Sequence, residues 1–203
     1  MAVIEVFADV LCPFAHAGLR KMVVERANRR RTDVVLRIRA WPLEQVNGAP
    51  LEAATVGEEI EALRSSVAPD LFAGFDTATF PQTSLPALAQ THAAYRAGLE
   101  VGERVALALR DAVFERGVDL SDPGICRDVV AGFGVGAPTD ADVAAVAQDR
   151  EEGAARGVEG SPYFFVAGRG FFCPSLEIHH DAEGFHVGVD EVVLEQFFAR
   201  CFA

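Results

Sequence analysis

Two kinds of apolar pattern divide this chain into three parts, and the first part has the pattern of a sheet-forming unit. Residues 2–8 are apolar at nearly every position, and residues 34–40 are rich in aliphatic side chains, so both are predicted to be strands. From Pro13 to about Arg31 the apolar spacing is that of a helix. The second strand should stop at Trp41-Pro42, because proline cannot donate to a sheet ladder. A β-α-β unit of this kind has a right-handed crossover and parallel strands.

The middle part changes to helical patterns interrupted by glycine and proline. We predict an all-helical insertion over residues 49–156, in which Asp122-Pro123-Gly124 is a break. Ser84, before Leu85-Pro86, and Thr139 are predicted N-caps. The predicted helices are Thr55–Val67, Ser84–Gly98, Gly102–Phe114 and Asp140–Gly153.

The last part returns to strand patterns and ends in a helix. Tyr163–Val166 and Phe171–Cys173 predict a hairpin, and Leu176–His180 with Phe185–Val187 predict a second ribbon around residues 181–184. Asp190 should cap the final helix. Residues 1–48 and 157–203 are therefore expected to form one discontinuous α/β domain around the insertion.

Composition narrows the possible partners. With 203 residues, of which 50% are hydrophobic, the chain can bury a full core. A net charge of −12 argues against a nucleic-acid partner, because phosphate binding needs clustered positive charge. We find neither a signal-peptide pattern nor a transmembrane-length apolar run, so we expect no membrane partner and a soluble, cytoplasmic location. Lysine occurs only at Lys21, a bias typical of GC-rich bacterial genomes. The four cysteines lack zinc-type spacing, so no metal is expected.

Cys12 is the residue on which the chemistry depends. It follows a predicted strand and precedes Pro13, which suits the first helical turn. Its sulfur would then face unpaired backbone N–H groups and the positive end of the helix dipole, which lower a cysteine pKa from about 8.5 to roughly 3.5–7.5. His16, four residues later, could add positive charge on the same helix face. We therefore expect a largely ionised nucleophile; the alternative is a small buried residue closing a turn.

These residues resemble a known family. Cys12-Pro13 at a helix start, and Gly160-Ser161-Pro162 before a strand, are similar to the thioredoxin fold, and more narrowly to its DsbA-like branch. That branch includes FrnE-type oxidoreductases, kappa-class glutathione transferases and 2-hydroxychromene-2-carboxylate isomerases. The resemblance covers the whole chain. It implies an α/β, thioredoxin-like fold with an inserted all-helical domain.

The resemblance also implies roles for individual residues. Pro162 should be cis and face Cys12, and Ser161 should offer backbone hydrogen bonds to a bound thiol. Pro13 and Phe14 belong to the same thiol-binding motif. The segment from Trp41 to Asn47 resembles a loop that lines the thiol pocket, although a plain loop is an equally good interpretation.

One departure from the family leaves the reaction open. Where oxidoreductases have Cys-Pro-x-Cys, this chain has Ala15, and the transferases and isomerases have serine where this chain has Cys12. Cys12 could form a mixed disulfide that a low-molecular-weight thiol (glutathione, mycothiol or bacillithiol) resolves. Cys173 could resolve it instead, since it should emerge near Pro162, although hairpin packing is the simpler interpretation. The other hypotheses are a thiol-cofactor-dependent transferase or isomerase and a non-catalytic binding module. Dimers occur in the related branch, so a homodimer is possible.

Overall fold

A computed structural model of the protein describes residues 1–174, 176–181 and 184–203. The predicted turn of the second ribbon includes Ala182 and Glu183, which lie outside the described residues, as does Ser175. Within the described residues, no helix is long and apolar enough to cross a membrane.

A four-stranded sheet with the strand order β2-β1-β3-β4 is the centre of the fold. The strands β1 and β2 are parallel, as the β-α-β pattern predicts, whereas β3 pairs antiparallel with both β1 and β4. A separate antiparallel ribbon, β5-β6, packs against helix α3. The strands are β1 (Ala2–Ala8), β2 (Val34–Ala40), β3 (Tyr163–Val166), β4 (Arg169–Phe172), β5 (Glu177–Asp181) and β6 (Gly184–Gly188).

Eight helices surround the sheet in the described residues, and the predicted ones are all present with shifted ends. They are α1 (Pro13–Asn28), α2 (Leu43–Asn47), α3 (Ala53–Ser66), α4 (Leu85–Arg96), α5 (Leu99–Arg116), α6 (Pro123–Val130), α7 (Asp140–Ala155) and α8 (Glu191–Cys201). Thr139 and Asp190 cap α7 and α8 as predicted. The sheet and the helices of the middle part share one hydrophobic cluster. The boundaries 49–156 of the insertion remain a prediction.

The sequence patterns missed two short helices. We expected a loop after β2, but α2 forms there and ends at Gly48, whose φ of 76° suits glycine. The chain is interrupted before Pro123, as the Asp122-Pro123-Gly124 pattern predicts, but Asp122 accepts hydrogen bonds from the N–H groups of Gly124 and Ile125 and caps α6, a helix that we did not predict. Helix α1 ends at Asn28 instead of near Arg31, because Arg30 has a left-handed φ of 54° that breaks the helix.

The outer edge of β2 is covered by side chains of the helices. The N–H groups of Leu36, Ile38 and Ala40 would otherwise be unpaired, and each donates to a side-chain oxygen. The acceptors are Glu103 Oε2 at 2.7 Å, the Tyr95 hydroxyl at 2.7 Å and Asp149 Oδ2 at 2.8 Å. The helical part therefore completes the hydrogen bonding of the sheet. We call this set of contacts the β2 edge.

Candidate active site

Cys12 lies between the end of β1 and the start of α1. Its backbone is extended, it occupies the N-cap position of α1, and Pro13 is the first residue of the helix, as the sequence predicts. The sulfur accepts a hydrogen bond from the Ala15 N–H at 3.4 Å. It also donates to the carbonyl oxygen of Ser161 at 3.2 Å. The thiol thus joins the start of the helix to the distant segment that precedes β3.

The Ser161-Pro162 peptide bond is cis, as the resemblance implied. Ser161 holds this segment against the end of β1 a second time, because its hydroxyl accepts a hydrogen bond from the Asp9 N–H at 3.0 Å. The two halves of the discontinuous unit therefore meet at Cys12 and the cis-proline segment, which consists of Ser161 and Pro162.

The Cys12 thiol is buried, with only 3% of the residue exposed. Its pKa is raised to about 12: burial is the largest cause, and the charges of Glu59 and Asp9 also raise it, whereas the hydrogen bonds with Ser161 and Ala15 lower it. The prediction of a largely ionised cysteine is therefore wrong for this conformation. The loss of hydration outweighs the helix terminus, and the sulfur rests as a protonated donor.

His16 does not supply charge to Cys12 as expected. Its Nε2 atom lies 2.7 Å from Glu115 Oε1, and its ring lies between Phe72 and Phe114, with centroids 5.3 and 5.0 Å away. Burial lowers the pKa of His16 more than the hydrogen bond with Glu115 raises it. The prediction of a charged imidazole beside Cys12 is therefore wrong, because packing directs the ring toward α5 and favours its neutral form.

Glu115 also organises the loop after α3. Its carboxylate accepts hydrogen bonds from the N–H groups of Phe72 and Ala73 at 2.9 and 3.1 Å. Burial raises the pKa of Glu115, but the hydrogen bonds from His16 and from these two amides outweigh it and lower the pKa to about 2. The contact between His16 and Glu115 thus links α1 to α5 and to the loop after α3, which is a structural role.

Asp9 is a site residue that the sequence reasoning missed. Its carboxylate accepts hydrogen bonds from Leu11 N–H at 2.9 Å, Leu43 N–H at 2.6 Å and the Ser84 hydroxyl at 3.2 Å. Burial raises its pKa, although these hydrogen bonds and the charge of Arg110 lower it. A carboxylate at the end of an apolar strand, three residues before Cys12, was a signal available in the sequence.

Ser84 has a different role from the one predicted. It occupies the N-cap position of α4, but its side chain makes no cap hydrogen bond. Its hydroxyl instead lies 3.2 Å from both Asp9 Oδ2 and Glu44 Oε1. This connects the first residues of α2 and α4 to the end of β1.

Arg110 is the second site residue that sequence reasoning missed. It is 1% exposed and donates from one nitrogen to the carbonyl oxygens of Ala8 and Asp9, at 3.4 and 3.3 Å. Burial lowers its pKa to about 10, against the raising effect of Asp9. No local pattern predicted this role, because Arg110 reaches β1 only through the packing of α5. We call Asp9, Cys12, Ser84, Arg110 and Ser161 the cysteine end of the sheet.

The remaining residues predicted to line the thiol pocket do not all lie beside Cys12. Phe14 is buried at the start of α1. Trp41 packs edge-to-face on Phe7, and a Cβ atom at Gly153 would lie 2.8 Å from its ring. Asn47 is exposed at the end of α2. In the part of the chain described here, no hydrogen bond or ring contact joins Trp41 or Asn47 to Cys12; the loop contributes through Leu43 and Glu44 instead.

Cys173 emerges beside Pro162, as the hairpin geometry predicted. Its N–H donates to the Pro162 carbonyl oxygen at 2.9 Å, and it is 4% exposed. Its pKa is raised to about 12, mainly by burial and to a smaller extent by the proximity of Cys12.

Fold and site together define a class: a thioredoxin-like protein in which a helix-capping cysteine contacts a cis-proline segment. The chain belongs to the DSBA-like thioredoxin domain family, whose model matches residues 3–183. This confirms the resemblance and the fold class stated above. A comparison with curated proteins found no match.

Solved structures support the same fold. Cytosolic disulfide reductase DsbM from Pseudomonas aeruginosa has 16% identity and a TM-score of 0.59, covering 83% of this chain and 87% of its own. A putative protein disulfide isomerase from Nitrosomonas europaea has 12% identity and a TM-score of 0.64, covering 97% of both chains. A 2-hydroxychromene-2-carboxylate isomerase has 12% identity and a TM-score of 0.63, covering 84% and 88%. Such low identities establish the fold and not the reaction.

Proposed function

We propose that this protein is a DsbA-like thiol-disulfide oxidoreductase in which Cys12 forms a mixed disulfide with a low-molecular-weight thiol. The supporting observation is the contact of the Cys12 sulfur with the Ser161 carbonyl at 3.2 Å, beside cis-Pro162 and at the start of α1. It joins a nucleophile, a segment with backbone hydrogen-bonding groups and a helix N-terminus in one place.

The reaction needs two exchanges. The Cys12 thiolate attacks a disulfide R–S–S–R, so that a Cys12–S–S–R bond forms and R–S⁻ leaves and takes up a proton. A low-molecular-weight thiol R′–SH, as its thiolate, then attacks the R sulfur, so that an R–S–S–R′ disulfide forms and the Cys12 thiolate leaves. Glutathione, mycothiol and bacillithiol all fit this second step, because each carries one free thiol.

Burial sets a condition on the first exchange. The resting thiol must lose its proton and become accessible before it can attack, because the thiolate is the nucleophile. Once water reaches the sulfur, the desolvation that raises its pKa is relieved, and the Ala15 N–H remains in place to stabilise the anion. We therefore propose that substrate binding opens the contact between Cys12 and Ser161.

A Cys12 variant series tests the proposed function. We expect Cys12→Ser and Cys12→Ala to reduce glutathione-dependent reduction of a small disulfide such as hydroxyethyl disulfide to the uncatalysed rate. Cys126→Ser is the matched control, because Cys126 is also a buried thiol with a pKa raised to about 12. Full activity in Cys12→Ser would contradict the proposal.

A thiol-cofactor-dependent transferase or isomerase is the second candidate, and one observation favours it. Cys12 is a hydrogen-bond donor in the structure, and a donor at this position could stabilise the thiolate of a bound cofactor. In that case Cys12→Ser keeps its activity toward an electrophilic substrate with glutathione, whereas Cys12→Ala loses it. A binding module would show neither activity in the wild-type protein.

We also propose a bacterial cytoplasm as the location, because a free reactive thiol is compatible with a reducing compartment. The similar DsbM structure is described as cytosolic. The proposed partner is a small thiol or disulfide, with neither nucleic acid nor a membrane involved, and a homodimer remains a prediction for sedimentation measurements.

A further inference from the structure

Two buried cysteines form hydrogen bonds with consecutive backbone carbonyl groups. Cys12 Sγ donates to the Ser161 carbonyl at 3.2 Å, and the Cys173 N–H donates to the Pro162 carbonyl at 2.9 Å. Since Ser161 and Pro162 are consecutive, Cys12 and Cys173 flank the same short segment of chain. Both are free cysteines in the structure.

The backbone of Cys173 is unusual. Its φ of 39° lies in the left-handed region, which non-glycine residues avoid at a cost of order 1–3 kcal/mol. Residues in such conformations concentrate at functional sites. Cys173 therefore holds this conformation directly beside the cis-proline segment.

The other two cysteines have different surroundings. The Cys126 thiol donates to the Leu120 carbonyl at 3.3 Å. Cys201 lies at the end of α8. Burial raises its pKa, and the charge of Arg29 lowers it. Cys173 differs from both in its position, because its N–H donates to the carbonyl of Pro162, the residue that follows the acceptor of the Cys12 thiol.

We propose that Cys173 is the resolving cysteine of Cys12 and takes the role that Ala15 cannot fill. The inference rests on the proposed function, because it needs a mixed disulfide on Cys12.

The chemistry balances as follows. The Cys173 thiolate attacks the Cys12 sulfur of the Cys12–S–S–R intermediate, a Cys12–Cys173 disulfide forms, and R–S⁻ leaves and takes up a proton. The substrate disulfide is reduced to two R–SH molecules, and the two cysteines are oxidised. Two molecules of a low-molecular-weight thiol then reduce the internal disulfide. A Cys12–Cys173 disulfide requires Cα atoms about 4.4–6.8 Å apart.

Intact mass spectrometry tests the inference. The wild type, Cys12→Ser, Cys173→Ser and the matched controls Cys126→Ser and Cys201→Ser are incubated with oxidised glutathione, quenched in acid and alkylated after unfolding. We expect the wild type and both controls to lose two alkylatable thiols without retaining glutathione. Digestion with trypsin should then yield residues 1–20 linked to residues 170–200. Cys173→Ser should retain one glutathionyl group on Cys12.

The outcomes separate the inference from the proposed function. If the wild type and Cys173→Ser both keep glutathione on Cys12, the inference is wrong and the proposed function stands. If neither protein reacts at Cys12, both are overturned. An adduct on Cys173 in the Cys12→Ser variant would reverse the order of attack and also overturn the inference. Circular dichroism of each variant checks that it is folded.

Discussion

The β2 edge and the cysteine end both bury polar side chains against the sheet, but the charged groups in the two regions have different partners. At the β2 edge, each buried carboxylate contacts an arginine: Glu103 pairs with Arg26, and Asp149 pairs with Arg39. Burial raises the pKa of Asp149, but the hydrogen bonds with His92 and Arg39 outweigh it and the pKa falls below its usual value. These carboxylates accept hydrogen bonds from both arginine side chains and backbone N–H groups, and so bind the helices to the sheet.

At the cysteine end, the buried acids lack such direct compensation. Arg110 donates to backbone carbonyls of Ala8 and Asp9, not to the Asp9 carboxylate, and the pKa of Asp9 is raised by burial. The pKa of Cys12 is raised for the same reason. The comparison teaches that ion pairs with arginine compensate the buried carboxylates at the β2 edge, whereas at the cysteine end burial raises the pKa values of both Asp9 and Cys12.

The largest effect should come from breaking a pair at the β2 edge. Arg39→Ala leaves Asp149 buried without its arginine, and we expect a loss of about 3–5 kcal/mol in the free energy of unfolding. Urea denaturation followed by circular dichroism measures it. The control Arg200→Ala removes an exposed arginine and should change stability by less than about 0.5 kcal/mol. Equal effects of the two substitutions would contradict the assigned role of the β2 edge.

Replacing Asp9 at the cysteine end should lower the free energy of unfolding by less than Arg39→Ala does, and the effect should depend on pH. Asp9→Ala leaves the N–H groups of Leu11 and Leu43 without their acceptor, and we expect a loss of about 1–3 kcal/mol. Asp9→Asn keeps an acceptor but cannot titrate, which separates hydrogen bonding from charge.

The sign of the pH effect follows from the raised pKa of Asp9. Between the unfolded value of 3.8 and the higher folded value, the native state holds the extra proton, so its contribution to stability is present below 3.8 and is lost as pH rises. Wild-type stability relative to Asp9→Asn should therefore fall as pH rises above about 4. A relative stability that increases over this range would mean that Asp9 is ionised in the folded state.

The smallest effect is expected from Tyr95→Phe. The Tyr95 hydroxyl accepts from Ile38 and donates to Leu36 at the β2 edge, so its removal should cost about 0.5–1.5 kcal/mol. Alkylation of Cys12 should be unchanged, because Tyr95 belongs to the other set of contacts. A faster Cys12 reaction in this variant would show that the two regions are coupled.

The same comparison shows what sequence patterns could predict. The strands β1 and β2, the hairpin β3-β4 and the helix start at Cys12-Pro13 follow from local periodicity and proline placement. The cis bond before Pro162 followed from a family resemblance, not from composition. These features depend on short stretches of chain.

The features that were missed depend on contacts between distant residues. His16 is neutralised by its burial between Phe72 and Phe114, which belong to other segments. The Ser84 hydroxyl contacts Asp9 and Glu44, which are distant in the sequence, and does not cap its own helix. The pKa of Cys12 was mispredicted because local spacing describes the helix terminus but not how completely the fold excludes water.

The most direct test is the pH dependence of Cys12 alkylation in the native protein. Iodoacetamide labelling is quenched at short times and quantified on the tryptic peptide 1–20, with the unfolded protein as the reference. Because the folded pKa is about 12, well above the value of about 8.5 for an ordinary cysteine, the native rate should show no inflection below pH 9 and should stay below that of the unfolded protein. A plateau reached below pH 7 would mean that Cys12 is a stable thiolate and would contradict the account.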